Sequence, residues 1–188
     1  REPTSVSRRD YRDSGVLAAL RYTLARTLAP PIVCAVLVVL WMTSFTATVL
    51  AASNSSVTND VAFTASCDGT RQKYVQVLPA DFTPNKPVDI LIVLHGHGSD
   101  RWQFIRQDRP ECRAVRDVAR QRGMILISPD YRAKTSWMGP KAEADLVQII
   151  SELKEKYSTR RVFLCGASMG GSSCLTFAAL HPQLLAGV

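Results

Sequence analysis

The sequence predicts an α/β fold, a mostly parallel sheet with helices on both faces. Three observations carry this. From Val88 onward, strand-length and helix-length segments alternate strictly, which implies right-handed crossovers between parallel strands. The segments 88–94 and 124–128 are almost wholly apolar, as strands are when helices cover both faces. An apolar run at 162–165 enters a tight Gly-Ala-Ser-Met-Gly turn and passes at once into a helix-compatible segment.

Residues 1–51 read as a separate leader. Arg8, Arg9, Arg12, Arg21 and Arg26 precede an apolar stretch over 32–50. A positive flank, an apolar core and the small residues of Val49-Leu50-Ala51-Ala52 form the layout of a secretory signal cleaved after Ala51. An uncleaved anchor is the alternative, since about 20 residues span a bilayer. Thr43, Ser44, Thr46 and Thr48 dilute the apolar run and favour cleavage. The Arg-rich side stays cytoplasmic. Either reading therefore places the following domain outside the cytoplasm, secreted, periplasmic or membrane-anchored, with membrane contact only through this segment. Residues 52–60 form a polar linker, and 61–188 the folded domain.

Within that domain, 61–65 and 73–78 read as two strands joined by the turn Cys67-Asp68-Gly69-Thr70, with Asp-Gly as the hairpin signal. Alternation in the second strand suits a sheet edge with one wet face. A proline-rich loop over 79–87 leads to the buried strand 88–94. Residues 110–122 predict a helix, with Pro110 in its first turn and Gly123 as its C-terminal cap. Ala114, Val115, Val118 and Ala119 form its inner stripe. After strand 124–128, the segment 142–157 is the clearest amphipathic helix. Leu146, Ile149, Ile150, Leu153 and Tyr157 recur at helical spacing, with Glu152, Lys154, Glu155 and Lys156 toward water.

Composition excludes several functions. The net charge is +7; six basic and three acidic residues precede Ala52, leaving 17 and 13 for the rest, a mild balance that does not suggest nucleic acid. Arg109, Arg113, Arg116 and Arg120 share one helical face and read as a solvated surface. No Walker or dinucleotide glycine fingerprint is present, so no cofactor is expected. His95 and His97 have no third ligand at metal-binding spacing, so no metal is expected either. Five cysteines make no disulfide framework. Cys34 lies in the leader, Cys165 and Cys174 read as small buried apolar residues, and Cys67 and Cys112 are free to pair in an oxidising compartment.

The chemistry centres on Ser168. In a strand–turn–helix context, G-x-S-x-G presents its serine at the tip of a strained turn. Gly166 and Gly170 lack the Cβ atoms that would clash where strand and helix close. The N–H of Met169 follows the serine and points toward an oxyanion formed there. Upstream, the strand 88–94 ends in His95-Gly96-His97-Gly98, a glycine-rich loop of the kind that supplies a second such N–H. Tyr131 and Trp137, on the loop after strand 124–128, are placed to line a cleft at the strand ends. His95 reads as a structural residue bonding loop backbone, His181 as a helix-end residue, and Asp130 as loop structure.

These motifs bear a resemblance. From about Val61 the chain resembles the N-terminal part of an α/β-hydrolase, and is most similar to secreted serine esterases of the feruloyl-esterase, polyhydroxybutyrate-depolymerase and esterase-D-like groups. The carrying motifs are Leu94-His95-Gly96-His97-Gly98, Ser128-Pro129-Asp130-Tyr131, Gly166-Ala167-Ser168-Met169-Gly170-Gly171 and His181-Pro182. The resemblance implies that Ser168 is the nucleophile, that the N–H groups of His97 and Met169 hold the oxyanion, and that the substrate is a small or polymer-linked carboxylic ester. Prolyl-oligopeptidase-type peptidases share the same turn and are the nearest alternative. In this fold the catalytic acid and base follow the serine in sequence. The chain stops soon afterwards, at what reads as the start of a further strand, so it is expected to be a truncated piece that is inactive alone. A non-catalytic fragment is therefore the remaining alternative.

Overall fold

A computed structural model of the chain describes residues 55–188. The leader, its apolar segment and Cys34 lie outside the described residues. Five strands form one mixed sheet, in the order β1-β2-β4-β3-β5. They are β1 (Val57–Thr64), β2 (Arg71–Leu78), β3 (Val88–Leu94), β4 (Ile125–Pro129) and β5 (Thr159–Gly166). β3 pairs in parallel with β4 and β5, while β2 is antiparallel to β1 and β4. The helices are α1 (Gln103–Arg106), α2 (Pro110–Gln121), α3 (Pro140–Lys156) and α4 (Met169–Leu180), and a 3-10 turn spans Pro182–Leu184.

The sheet separates two apolar layers. On one face, Ile90, Ile92 and Leu94 of β3 meet Leu146, Ile149, Ile150 and Leu153 of α3 and Phe177 of α4. Each of these side chains contributes about 2 kcal/mol by leaving water. On the other face, Leu91 and Val93 pack with Phe104 of α1 and Cys112 and Ala119 of α2. Every residue of β3 is buried, because alternate side chains feed alternate layers.

Several expectations need correction. β2 is not an edge strand; it sits between β1 and β4, and β1 is the edge. The linker is shorter than expected, since Val57–Asp60 already pair with residues of β2. α2 presents Cys112 and Ala119 to the core, with Val115 half-buried, while Ala114 and Val118 face out. In this rotation Arg116 Nη1 donates to the carbonyls of Phe104 (2.7 Å) and Gln107 (3.0 Å). Arg116 is thus a structural link, whereas Arg109, Arg113 and Arg120 are exposed as expected. Cys67 and Cys112 are both free thiols. Cys112 is fully buried under α2, and Cys67 lies on the exposed hairpin turn, so the two do not pair. α1 was not anticipated, being a single turn.

The punctuation matches the sequence. Gly69 takes φ +72° in the β1–β2 turn, where the N–H of Gly69 donates to Ala65 O at 2.8 Å. Pro110 opens α2, and Gly123, at φ +59°, follows its last turn. Beyond the 3-10 turn, Ala186 N–H donates to Val162 O (2.7 Å) and Leu164 N–H to Gly187 O (3.1 Å), so the last residues run alongside β5.

Candidate functional site

β5 ends at Gly166, and α4 begins three residues later. Ser168 between them adopts φ 56°, ψ −123°, a conformation that non-glycine residues rarely hold. A serine at a helix N-cap ordinarily bonds an N–H of the first turn. Ser168 makes no such bond and is exposed, so its hydroxyl is left uncommitted. The flanking glycines are steric requirements. A Cβ on Gly166 would lie 2.6 Å from the carbonyl carbon of Gly170, and one on Gly170 would fall inside the carbonyl of Leu94. Met169, first in the helix, is buried; its N–H has no intrahelical acceptor four residues back.

The His95–Gly98 loop leaves the neighbouring strand and passes directly against this turn. A Cβ built on Gly96 would sit 3.5 Å from Ala167 O and 3.8 Å from Ser168 Cβ. Two of the loop's four amides are occupied, as is that of the following Ser99. Gly96 N–H donates to Gln103 Oε1 (2.8 Å), Gly98 N–H to Lys134 O (2.8 Å) and Ser99 N–H to Gly96 O (3.2 Å). Among the described residues the His97 N–H has no such partner. Gly98 itself turns the chain at φ +78°.

A brace holds the loop from behind. The buried His95 ring sets Nδ1 2.9 Å from Gly96 O and Nε2 3.2 Å from Asp130 O. Tyr131 donates its hydroxyl to His95 O at 2.7 Å, and their rings lie 4.6 Å apart. Arg101 ties Asp130 to Asp60 of β1, with Nη1 2.9 Å from Asp130 Oδ2 and Nε 2.8 Å from Asp60 Oδ1. Salt-bridging to Arg101 draws the Asp60 carboxyl below its ordinary range.

Comparisons with known proteins sit beside this geometry. No family model and no curated protein matches the chain. Solved structures do match. A ferulic acid esterase from Anaeromyces mucronatus is 21% identical, with a TM-score of 0.55 over 71% of this chain and 57% of that one. A fluorophosphonate-binding serine hydrolase from Staphylococcus aureus is 19% identical, with a TM-score of 0.58 over 70% and 55%. An S-formylglutathione hydrolase from Staphylococcus aureus is also 19% identical, with a TM-score of 0.58 over 71% and 59%. The fold is that of the α/β-hydrolases. The chain spans a little over half the length of these solved structures, so it presents part of the α/β-hydrolase scaffold that serine hydrolases and esterases use.

On that scaffold, the sequence-predicted residues fall into distinct places. Ser168, Gly166, Gly170 and Met169 share the β5–α4 turn of the α/β-hydrolase sheet, with Gly96, His97 and Gly98 in the adjoining loop. Trp137 is 53% exposed, and its ring lies 6.2 Å from that of His97. Tyr131 does not line an open cleft. It is 2% exposed, a strut under the loop, and burial pushes its hydroxyl up to about 12. His181 caps α4 and bonds Glu143 of α3 through Nε2 at 2.8 Å. Cys165 and Cys174 flank the turn, but burial raises their thiols to about 11 and about 12, which keeps both protonated.

Sequence reasoning missed Gln103 and Arg101. Their partners are Gly96, Asp130 and Asp60, up to 41 residues away in the chain. The only local signal is Asp100, whose Oδ1 accepts the Trp102 N–H at 2.9 Å and starts the turn that carries Gln103.

Proposed function

We propose that the complete protein is an exported serine hydrolase that cleaves carboxylic esters through an acyl-enzyme on Ser168. The observation that carries this is the uncommitted, exposed Ser168 hydroxyl, held at positive φ in contact with a loop whose His97 amide is unengaged among the described residues. Export is supported by the leader pattern of residues 1–51.

In this reading Ser168 Oγ attacks the ester carbonyl carbon. Its proton passes to a base that, by the chain order of this fold, follows the serine. The carbonyl oxygen becomes an oxyanion held by the N–H groups of His97 and Met169, each such donor being worth about 3 kcal/mol at the transition state. The carbon–oxygen bond to the alcohol breaks, the base returns its proton to the leaving alcohol, and an acyl-Ser168 ester remains. Water then attacks that ester by the same route and releases the acid. Trp137, beside His97, offers an apolar wall to one side of the substrate.

The test is labelling and turnover by the full-length protein. A fluorophosphonate probe should label it, and p-nitrophenyl acetate should be hydrolysed. Ser168→Ala should abolish labelling and lower kcat by roughly 10⁶-fold, the loss seen when a serine nucleophile is removed elsewhere. Equal labelling of the variant would retire the assignment, and faster turnover of proline-containing peptides than of esters would move it to a peptidase.

A further inference from the structure

We propose that Gln103 is a positioning residue for the oxyanion site: it takes the Gly96 N–H out of use and sets the loop so that His97 offers its amide to the reacting carbonyl. The proposal rests on the reading of Ser168 as nucleophile.

Gln103 is a polar side chain in a buried place, 7% exposed at the start of α1. Its Oε1 accepts the Gly96 N–H at 2.8 Å. Its own backbone is anchored twice, the N–H donating to Asp100 O (3.1 Å) and the carbonyl accepting from Gln107 N–H (3.0 Å). The turn that carries it is fastened by Arg116 to the carbonyls of Phe104 and Gln107, with Phe104 in the core. The amide oxygen therefore reaches the loop from a fixed point. A Cβ on Gly96 would lie 3.7 Å from Gln103 Oε1 and 3.8 Å from Ser168 Cβ, so Gln103, Gly96 and Ser168 occupy one contact layer.

Consecutive peptide planes share a Cα. Fixing the Gly96 amide toward Gln103 fixes the plane before Gly96 and limits how the next plane, which carries the His97 N–H, can turn. With that acceptor removed, the buried Gly96 N–H would seek another partner and the loop would rotate with it. The chemistry also explains an amide rather than a carboxylate. A neutral oxygen holds the N–H, whereas a carboxylate there would set negative charge beside the developing oxyanion.

The experiment uses the full-length protein, p-nitrophenyl acetate, phenylboronic acid as a tetrahedral mimic, and thermal melts. Gln103→Leu should lower kcat about 30-fold, less than the loss of a donor itself, with KM within about twofold. Its affinity for the boronate should fall by the same factor. Gln103→Glu keeps the acceptor and, at a pH low enough to protonate the new carboxyl, should melt close to wild type, so it carries the test even if the leucine variant folds poorly. Its kcat relative to wild type should climb as pH falls and the new carboxylate is protonated. An unchanged kcat and boronate affinity in Gln103→Leu, or a pH-independent ratio in Gln103→Glu, would overturn the role. Wild type that neither turns over the ester nor takes the fluorophosphonate would overturn the Ser168 reading and this one with it. An active wild type with unaffected variants would retire Gln103 alone.

Discussion

Where β3, β4 and β5 finish, five non-glycine residues hold positive φ: Tyr131, Arg132, Trp137, Met138 and Ser168. Where the same strands begin, the left-handed position before β4 belongs to a glycine, Gly123. That end is instead fastened by Asp89 of β3. Its carboxylate accepts from Arg160 (2.8 and 2.6 Å) and Arg161 (3.2 and 2.6 Å) of β5. Both ends of the sheet carry ion pairs, but only one carries strain at non-glycine residues, each instance costing about 1–3 kcal/mol. Strain persists only where surroundings over-determine it. Tyr131 is locked by His95 O, and Arg132 donates to Asp68 (2.8 Å) and Asp145 (2.6 Å). The strained end exposes Ser168 and Trp137, whereas the Asp89 end ties β3 to β5.

The comparison can be broken at several points. The largest effect on folding should come from Gly170→Ala, whose Cβ would collide with the Leu94 carbonyl, a clash of backbone on backbone. A loss of about 3 kcal/mol in a denaturant titration is expected. A variant as stable as wild type would show that strand and helix do not close as tightly as described. Next is Asp89→Asn at the opposite end, expected to cost about 2 kcal/mol by weakening charge-assisted bonds. Hydrogen bonds from Arg160 and Arg161 hold the Asp89 carboxyl well below its ordinary range. Its contribution is therefore present above the unfolded-state value near 4 and is lost as pH falls below it. Wild type should lose stability through that acid range, and the asparagine variant should lose less.

Ser168→Gly sharpens the contrast in the other direction. Glycine accepts φ 56° without penalty, so this variant should gain about 1 kcal/mol of stability while losing activity. A destabilised glycine variant would mean that the turn is not strained. The smallest effect should come from Trp137→Ala. The residue is half exposed, so the melting temperature should barely move, while KM for an aryl ester should rise about fivefold, the worth of roughly 1 kcal/mol of aromatic contact. Equal KM values for aryl and small alkyl esters in both proteins would remove Trp137 from the substrate's surroundings.

Much of this is legible in the sequence. The almost wholly apolar run of β3, the stripe of α3 and the glycine spacing around Ser168 are local patterns, and local sterics enforce them. The errors have a common cause. β2 carries an alternating pattern that suits an edge, yet β4 pairs along its second side. α2 turns Cys112 and Ala119 inward and leaves Ala114 and Val118 outside, with Arg116 reaching across to Phe104 and Gln107. Tyr131 follows a strand end, as cleft residues do, but its hydroxyl finds His95 O, 36 residues back, and it is buried there.

The α/β class, the five strands, the three longer helices and the turn that holds Ser168 follow from the sequence, because hydrophobic period and glycine sterics act over a few residues. Strand order, the rotation of α2, and the brace of Gln103, Tyr131 and Arg101 behind the glycine loop emerge only once the chain is folded. Those depend on pairings between groups far apart in the chain, and a hydrogen bond or a shared burial leaves no mark on the spacing of its partners.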